Sequence, residues 1–168
     1  MFFVATAPSG GEGHVNLSPK GYDTLRILDA NRVVYLDLTG SGVETISHLR
    51  ENGRITVMFC AFEGKPKILR LYGHGRVVQA DDPAFPALRE RFAERRGVRS
   101  VIVVEVTRIA DSCGYAVPLM AFESERDVLT GWHARRDDAR LAAYQAEKNA
   151  ASIDGLPALD PGALADRS

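Results

Sequence analysis

Ile55-Thr56-Val57-Met58-Phe59-Cys60-Ala61-Phe62 is a nearly continuous apolar and β-branched run, closed by the turn residues Glu63-Gly64-Lys65-Pro66. A run of that length and composition reads as a strand, and its missing alternation predicts burial on both faces. Ile68 to Val78 follows as a long strand. Gly73 and Gly75 flank His74 there, which predicts a bulge or a close backbone approach. Val101 to Ile109 is a third apolar strand. Working outward, Val33 to Leu38 is strand-like. So are Phe2 to Ala5 at the start and His14 to Ser18 after the Gly10-Gly11-Glu12-Gly13 turn signal. Six strands with few helices between them predict an antiparallel β-barrel of the α+β class, and they argue against a doubly wound parallel sheet.

Three helical patterns remain. Val43, Ile46 and Leu49 recur at helical spacing, with Gly53 as the C-terminal cap. Pro83 to Arg95 places Phe85, Leu88 and Phe92 on one face. Residues from about 125 to 152 read as one C-terminal helix, with Trp132 packing it, and residues 155–168 as an extended Pro-, Gly- and Ala-rich tail. A chain of 168 residues fits one domain over 1–168.

Composition excludes several classes. Lys+Arg 21 against Asp+Glu 22 gives a net charge of -1, which argues against bulk-electrostatic nucleic-acid binding. No apolar stretch approaches the roughly 20 residues of a membrane helix, so no membrane partner is expected. Two cysteines and no visible secretion signal predict a cytoplasmic protein. Cys60 reads as core and Cys113 as a loop cysteine. His14, His48, His74 and His133 show no metal-ligand spacing, so no metal is expected. The arginines at 89, 91, 95, 96 and 99, interleaved with Glu90 and Glu94, read as a solvated face.

The stretch richest in chemistry is Thr39-Gly40-Ser41-Gly42-Val43-Glu44-Thr45, between a strand and a helix. Ser41 with Glu44 three residues on fits a capping box. A glycine turn at a helix N-terminus also offers free amides to an anion, with hydroxyls from Thr39, Ser41 and Thr45. A plain capped helix after a glycine turn is the competing reading. Lys20 and Arg70 are the nearest candidate cations. Arg70, between Leu69 and Leu71, points to the opposite face from both.

In order, FFVATA, HVNLSPKG, VVYLDLTGSGVETISHLRENGRI, MFCAFEG, ILRLYGHGRVV and DSCGYAVPLM resemble the pyridoxamine 5'-phosphate oxidase-like flavin-binding family, over roughly residues 2 to 156. The resemblance implies a split β-barrel, a homodimer and FMN at the dimer interface. Carried over by position, Asn16, Leu17, Ser18 and Lys20 flank the flavin ring or ribityl chain. Thr39, Ser41 and Thr45 approach the phosphate, and Arg70 is a further cofactor contact. Two departures stand out. Val43-Glu44-Thr45 occupies the place of a Ser-Arg-Lys stretch, and the Arg-containing motif that recognises pyridoxal phosphate has no match, which argues against vitamin B6 oxidation. Family members of this kind also carry a helix before the first strand. The implied function is an FMN-dependent oxidoreductase acting on a small molecule, with a nicotinamide as reductant. A non-catalytic flavin carrier, and a deazaflavin- or haem-binding barrel, stand as alternatives.

Overall fold

In the computed structural model, which describes residues 1–159, seven strands form one antiparallel sheet in the order β2-β1-β5-β6-β7-β4-β3. They are β1 (Phe2–Thr6), β2 (Asn16–Lys20), β3 (Leu25–Asp29), β4 (Arg32–Leu38), β5 (Arg54–Cys60), β6 (Ile68–Val78) and β7 (Val98–Ser112). The helices are α1 (Glu44–Glu51), α2 (Phe85–Arg89), α3 (Val128–Ala134) and α4 (Asp138–Lys148). The sheet curls until its two halves meet. The Phe2 ring of β1 packs edge-on against Tyr35 of β4, centroids 5.5 Å apart, although three strands separate them in the sheet. Lys20 of β2 reaches Asp37 of β4 at 3.5 Å across the same opening. The result is a split β-barrel.

Alternation builds the interior. Phe2, Val4, Val33, Tyr35, Ile55, Val57, Ile102 and Val104 fill it, and Leu49 of α1 plugs one end. Burying such a side chain is worth about 1.5–3 kcal/mol each. Val34, Leu36, Val101 and Val103 point the other way and pack under Phe92, Phe85 and Leu88. A third cluster seats Val43 and Ile46 of α1 against Ala158 and Leu159.

The Gly73 expectation holds. The pairing shifts between Tyr72 and Gly73, and a Cβ on Gly73 would collide with the Glu105 carbonyl. At Gly75 a Cβ would meet Leu49 at 2.7 Å, so the strand lets α1 approach closely.

Several expectations are corrected. β5 is buried on one face only: Ile55 and Val57 are buried, while Thr56, Met58 and Cys60 are half-buried on the other side. Cys60 is therefore not a core residue. The helix after Pro83 is short, because the Arg89 guanidinium takes the carbonyls of Phe92, Ala93 and Arg95 and curls the chain off the axis. The helix expected over about 125–152 is two helices, broken where the Asp137 side chain caps α4 by accepting from the Arg140 amide. Of the tail, residues 155–159 run back over α1, with a bridge between Ala151 and Pro157. Residues 160–168 lie outside the described residues. The solvated arginine face splits: Arg91 and Arg96 are exposed, Arg89 and Arg95 half-buried, and Arg99 lies buried on β7.

Candidate cofactor site

Period-2 geometry sorts the predicted site residues before any contact is considered. On β2, Asn16, Ser18 and Lys20 turn partly inward, while Leu17 and Pro19 are exposed on the other side. Leu17 pairs with Ala5, Ala5 with Thr56, and Thr56 with Tyr72. Arg70 pairs with Met58, two residues further along the same strands. Leu17 and Arg70 thus share the outer face, and Asn16, Ser18 and Lys20 the inner one.

Asn16 and Thr45 come together. The Asn16 side-chain amide donates to the Thr45 hydroxyl at 3.0 Å and to the Thr6 hydroxyl at 3.2 Å. The Thr6 hydroxyl in turn meets Nδ1 of His48 at 2.9 Å. His48 is fully buried, and its Nε2 has no partner among the described residues. Nor has the buried Ser18 hydroxyl. Burial holds the His48 imidazole below its ordinary pKa, against the pull of Asp154, Glu44 and Glu51. This side of the barrel is thus lined by hydroxyls and amides with hydrogen-bonding capacity left over.

Lys20 is engaged elsewhere. It pairs with Asp37, which also receives Arg99 Nε at 2.6 Å and the Ser100 hydroxyl at 3.4 Å. Asp37 is completely buried. Burial alone would raise its pKa, but Arg99 and then Lys20 outweigh it, so the carboxyl stays below its usual range and is ionised. Tyr35, beside it, is pushed well above its ordinary pKa by burial and by the Asp37 charge. Sequence reasoning missed both Asp37 and Arg99. An acid inside an apolar strand (Val33 to Leu38) is the one signal that pointed to a buried ion pair.

The turn is built differently from the capping box. The N-cap of α1 is Val43, with no side-chain cap. Ser41 is exposed and its carbonyl, like that of Gly40, accepts from the Asn149 side-chain amide. Thr39 is buried, and its hydroxyl accepts from Gln145 at 2.7 Å. Its carbonyl meets His133 Nε2 at 3.0 Å. Thr39 therefore faces α4 while Thr45 faces β2, and one phosphate cannot be held by both hydroxyls. The Gly40 and Ser41 carbonyls point to the C-terminal end of α4 and the Thr39 carbonyl to α3. The amides from Gly40 to Thr45 make no backbone hydrogen bond among the described residues, which leaves them for an anion. The Glu44 carboxylate stands over Gly42, 2.8 Å from where a Cβ would sit. That negative charge replaces neither of the two missing cations and opposes an anion at the turn.

Arg70 lies on the outer face and donates to Ser112 at 3.1 Å. Trp132 packs, as expected, against Tyr144, centroids 4.8 Å apart. Among the described residues no cluster of His, Cys, Asp and Glu could hold a metal.

The curled seven-stranded sheet with a polar inner edge defines the class: an antiparallel split β-barrel. Comparison then fixes the family. The profile of pyridoxamine 5'-phosphate oxidase matches residues 1–113. A pyridoxamine 5'-phosphate oxidase family protein of Aspergillus flavus, ustO, is 38% identical over 95% of this chain and 70% of its own length. The chain belongs to the pyridoxamine 5'-phosphate oxidase family. Among solved structures, HupZ of Group A Streptococcus is 26% identical with a TM-score of 0.52, over 64% of this chain and 81% of that one. An FMN-binding protein from Syntrophomonas wolfei is 14% identical with a TM-score of 0.50, over 66% and 75%, and supports the fold alone.

Proposed function

We propose that the protein is an FMN-dependent oxidoreductase that works as a homodimer on a small molecule. The observation that carries this reading is the polar inner edge formed by Asn16, Ser18 and Thr45, which lies beside the amide-bearing turn at Ser41. Ser18 keeps an orphaned hydroxyl there. A buried polar group without a partner costs about 1–3 kcal/mol, a cost that a bound ligand's oxygens relieve. The residues fit FMN in this way: Asn16, Ser18 and Thr45 hold the ribityl oxygens, and Ser41 with the turn amides holds the phosphate. Thr39 and Lys20 stand behind this set, Thr39 fixing the turn through Gln145 and Lys20 fixing the strand edge through Asp37. FMN supplies the redox chemistry, while the chain supplies position and hydrogen bonds. Without the Ser-Arg-Lys cations, affinity rests on neutral donors, so moderate binding is expected.

Leu17 and Arg70 contribute through the dimer. The outer face that carries them shows Leu17 at 63% and Tyr72 at 37% exposure, beside the half-buried Phe3 and Met58, an apolar surface of the kind that a partner covers. A second copy packed on this face covers it and brings each Arg70 towards its partner's cofactor.

The test is reduction. FMN-loaded protein is mixed anaerobically with NADPH and then exposed to candidate acceptors. Bleaching of the flavin followed by reoxidation on acceptor addition is expected. Flavin that binds but is never reduced by NADPH or NADH, with no turnover of any acceptor, would make the protein a carrier instead.

A further inference from the structure

Three aromatic rings converge at a second place. Tyr22, Trp132 and Tyr144 line a cavity of about 310 Å³ beside the Thr39-Gly40 turn, with Val128 and Leu129 as aliphatic walls. The Trp132 and Tyr144 rings meet edge to face at 70°. Arg136 lies 3.7 Å from the centre of the Trp132 ring and fixes its plane. Tyr22 is held at some cost. It and Asp23 both have left-handed backbones, φ 61° and 56°, a conformation that bulky side chains rarely adopt. The Tyr22 hydroxyl donates to the Arg126 carbonyl at 2.6 Å, and Arg95 sits over its ring at 4.9 Å while donating to its carbonyl. Strain of this kind persists where surrounding contacts over-determine it, and it concentrates at ligand sites.

Charge is mixed at the cavity's rim and positive in its lining: Glu125 and Asp127 flank Arg126 in the chain, and the Glu125 carboxylate stands 3.7 Å from where a Gly21 Cβ would sit. The lining contains a cation, Arg126, and no carboxylate among the described residues. Asp23, next to Tyr22, is already paired with Arg26 at 2.8 Å. Behind the cavity, burial holds the His133 imidazole below its ordinary pKa. The Thr39 carbonyl opposes that, but the nearby charges of Arg95, Arg136 and Arg96 all lower it further. A flat apolar slot with a single cation and no carboxylate in its described lining favours a flat anion. The cavity volume, at the small end for ligand pockets, suits one ring or two fused rings.

We propose that this cavity binds a small aromatic carboxylate, its ring among Tyr22, Trp132 and Tyr144 and its carboxylate at Arg126. The site does not depend on the flavin reading, since it shares only the Thr39-Gly40 backbone with the turn.

Trp132 is the chain's single tryptophan, so its fluorescence reports the cavity directly. Benzoate is titrated into the purified protein, alongside benzamide, which is flat but neutral, and cyclohexanecarboxylate, which is charged but not flat. Saturable quenching by benzoate is expected, with benzamide weaker by about tenfold, the size of one charge-assisted hydrogen bond, and cyclohexanecarboxylate weaker by about fivefold, the size of one aromatic ring contact. Tyr22 bonds the backbone of Arg126 rather than its side chain, so Arg126→Gln leaves the cavity wall in place. That variant should bind benzoate about tenfold more weakly, with benzamide unchanged. Linear, unsaturable quenching by benzoate would overturn the proposal. So would equal affinity for benzoate and cyclohexanecarboxylate, or an Arg126→Gln variant that binds benzoate as the parent does.

Discussion

At the scale of single residues, Asp37 is the most consequential side chain that the fold buries. Its carboxylate is the counter-charge for both Arg99 and Lys20. Asp37→Asn leaves Arg99 buried without a charge partner, and breaking a buried pair from one side costs about 3–5 kcal/mol. A large fall in the denaturant midpoint is expected. Arg99→Met in the same background should recover part of the loss, and full additivity of the two substitutions would mean that they do not interact. Ser41 sits at the opposite extreme. It caps nothing, so Ser41→Ala should move stability by less than about 0.5 kcal/mol. Its hydroxyl is assigned to the FMN phosphate, so FMN affinity should fall by roughly tenfold or more, while riboflavin, which has no phosphate, binds as before. Flavin fluorescence titrations of both variants check this, and an equal loss for the two flavins would remove the phosphate role. The capping box looked convincing in sequence because Ser41 and Glu44 have the right spacing. Asn149 and Gln145, more than a hundred residues away, instead draw the Gly40 and Ser41 carbonyls and the Thr39 hydroxyl towards α4, and no local pattern announces that.

At the scale of elements, α1 is the keystone. It plugs the barrel with Leu49, rests Ile46 on the C-terminal segment and presents His48 to β1. Arg50 reaches the Ala158 carbonyl and Gln79, and Ser47 donates to the Leu156 carbonyl at 3.1 Å. Two buried histidines lock helices in place, His48 for α1 and His133 for α3, and both have folded pKa values below the ordinary 6.5. The unfolded chain therefore binds more protons as pH falls. The stability they contribute is complete above about pH 6.5 and is lost progressively below it. Melting temperature should drop between pH 7.5 and 5.5, and His48→Gln should flatten that slope; a slope unchanged by the substitution would show that His48 is not a source. Much at this scale was readable from sequence. The strand read from Ile68 to Val78, with its two glycines, has those bounds, and α1 follows its apolar spacing. β3 was not readable: Leu25-Arg26-Ile27-Leu28-Asp29 is short, carries two charged residues and buries no side chain fully, so it becomes a strand only because β4 offers it an edge. The break between α3 and α4 was missed although the charged run Arg135-Arg136-Asp137-Asp138 interrupts the apolar spacing and Asp137 is of a type that caps helices.

At the scale of the whole molecule, the outer face of β2, β1, β5 and β6 is the surface that remains to be explained. Leu17, Tyr72 and the half-buried Phe3 and Met58 share it. An obligate pairing on this face would bury about 2,000 Å² or more, and sedimentation should find a dimer at micromolar concentration. Tyr72→Glu should shift that equilibrium to monomer and weaken FMN, because it separates each Arg70 from the other copy's cofactor. A monomeric variant with undiminished FMN affinity would place the whole seat within one chain. The family and the barrel were legible because their signals are distributed over many strands. The cofactor seat was legible only in part, since which face each residue takes depends on register, and register is set by partners far away in sequence. The most direct measurement is the absorbance spectrum of the purified protein after incubation with FMN, riboflavin or haem and removal of unbound ligand by gel filtration. Flavin bands are expected to co-elute with the protein after FMN, and much less after riboflavin. Flavin bands absent after FMN, with a haem spectrum retained instead, would contradict the FMN assignment.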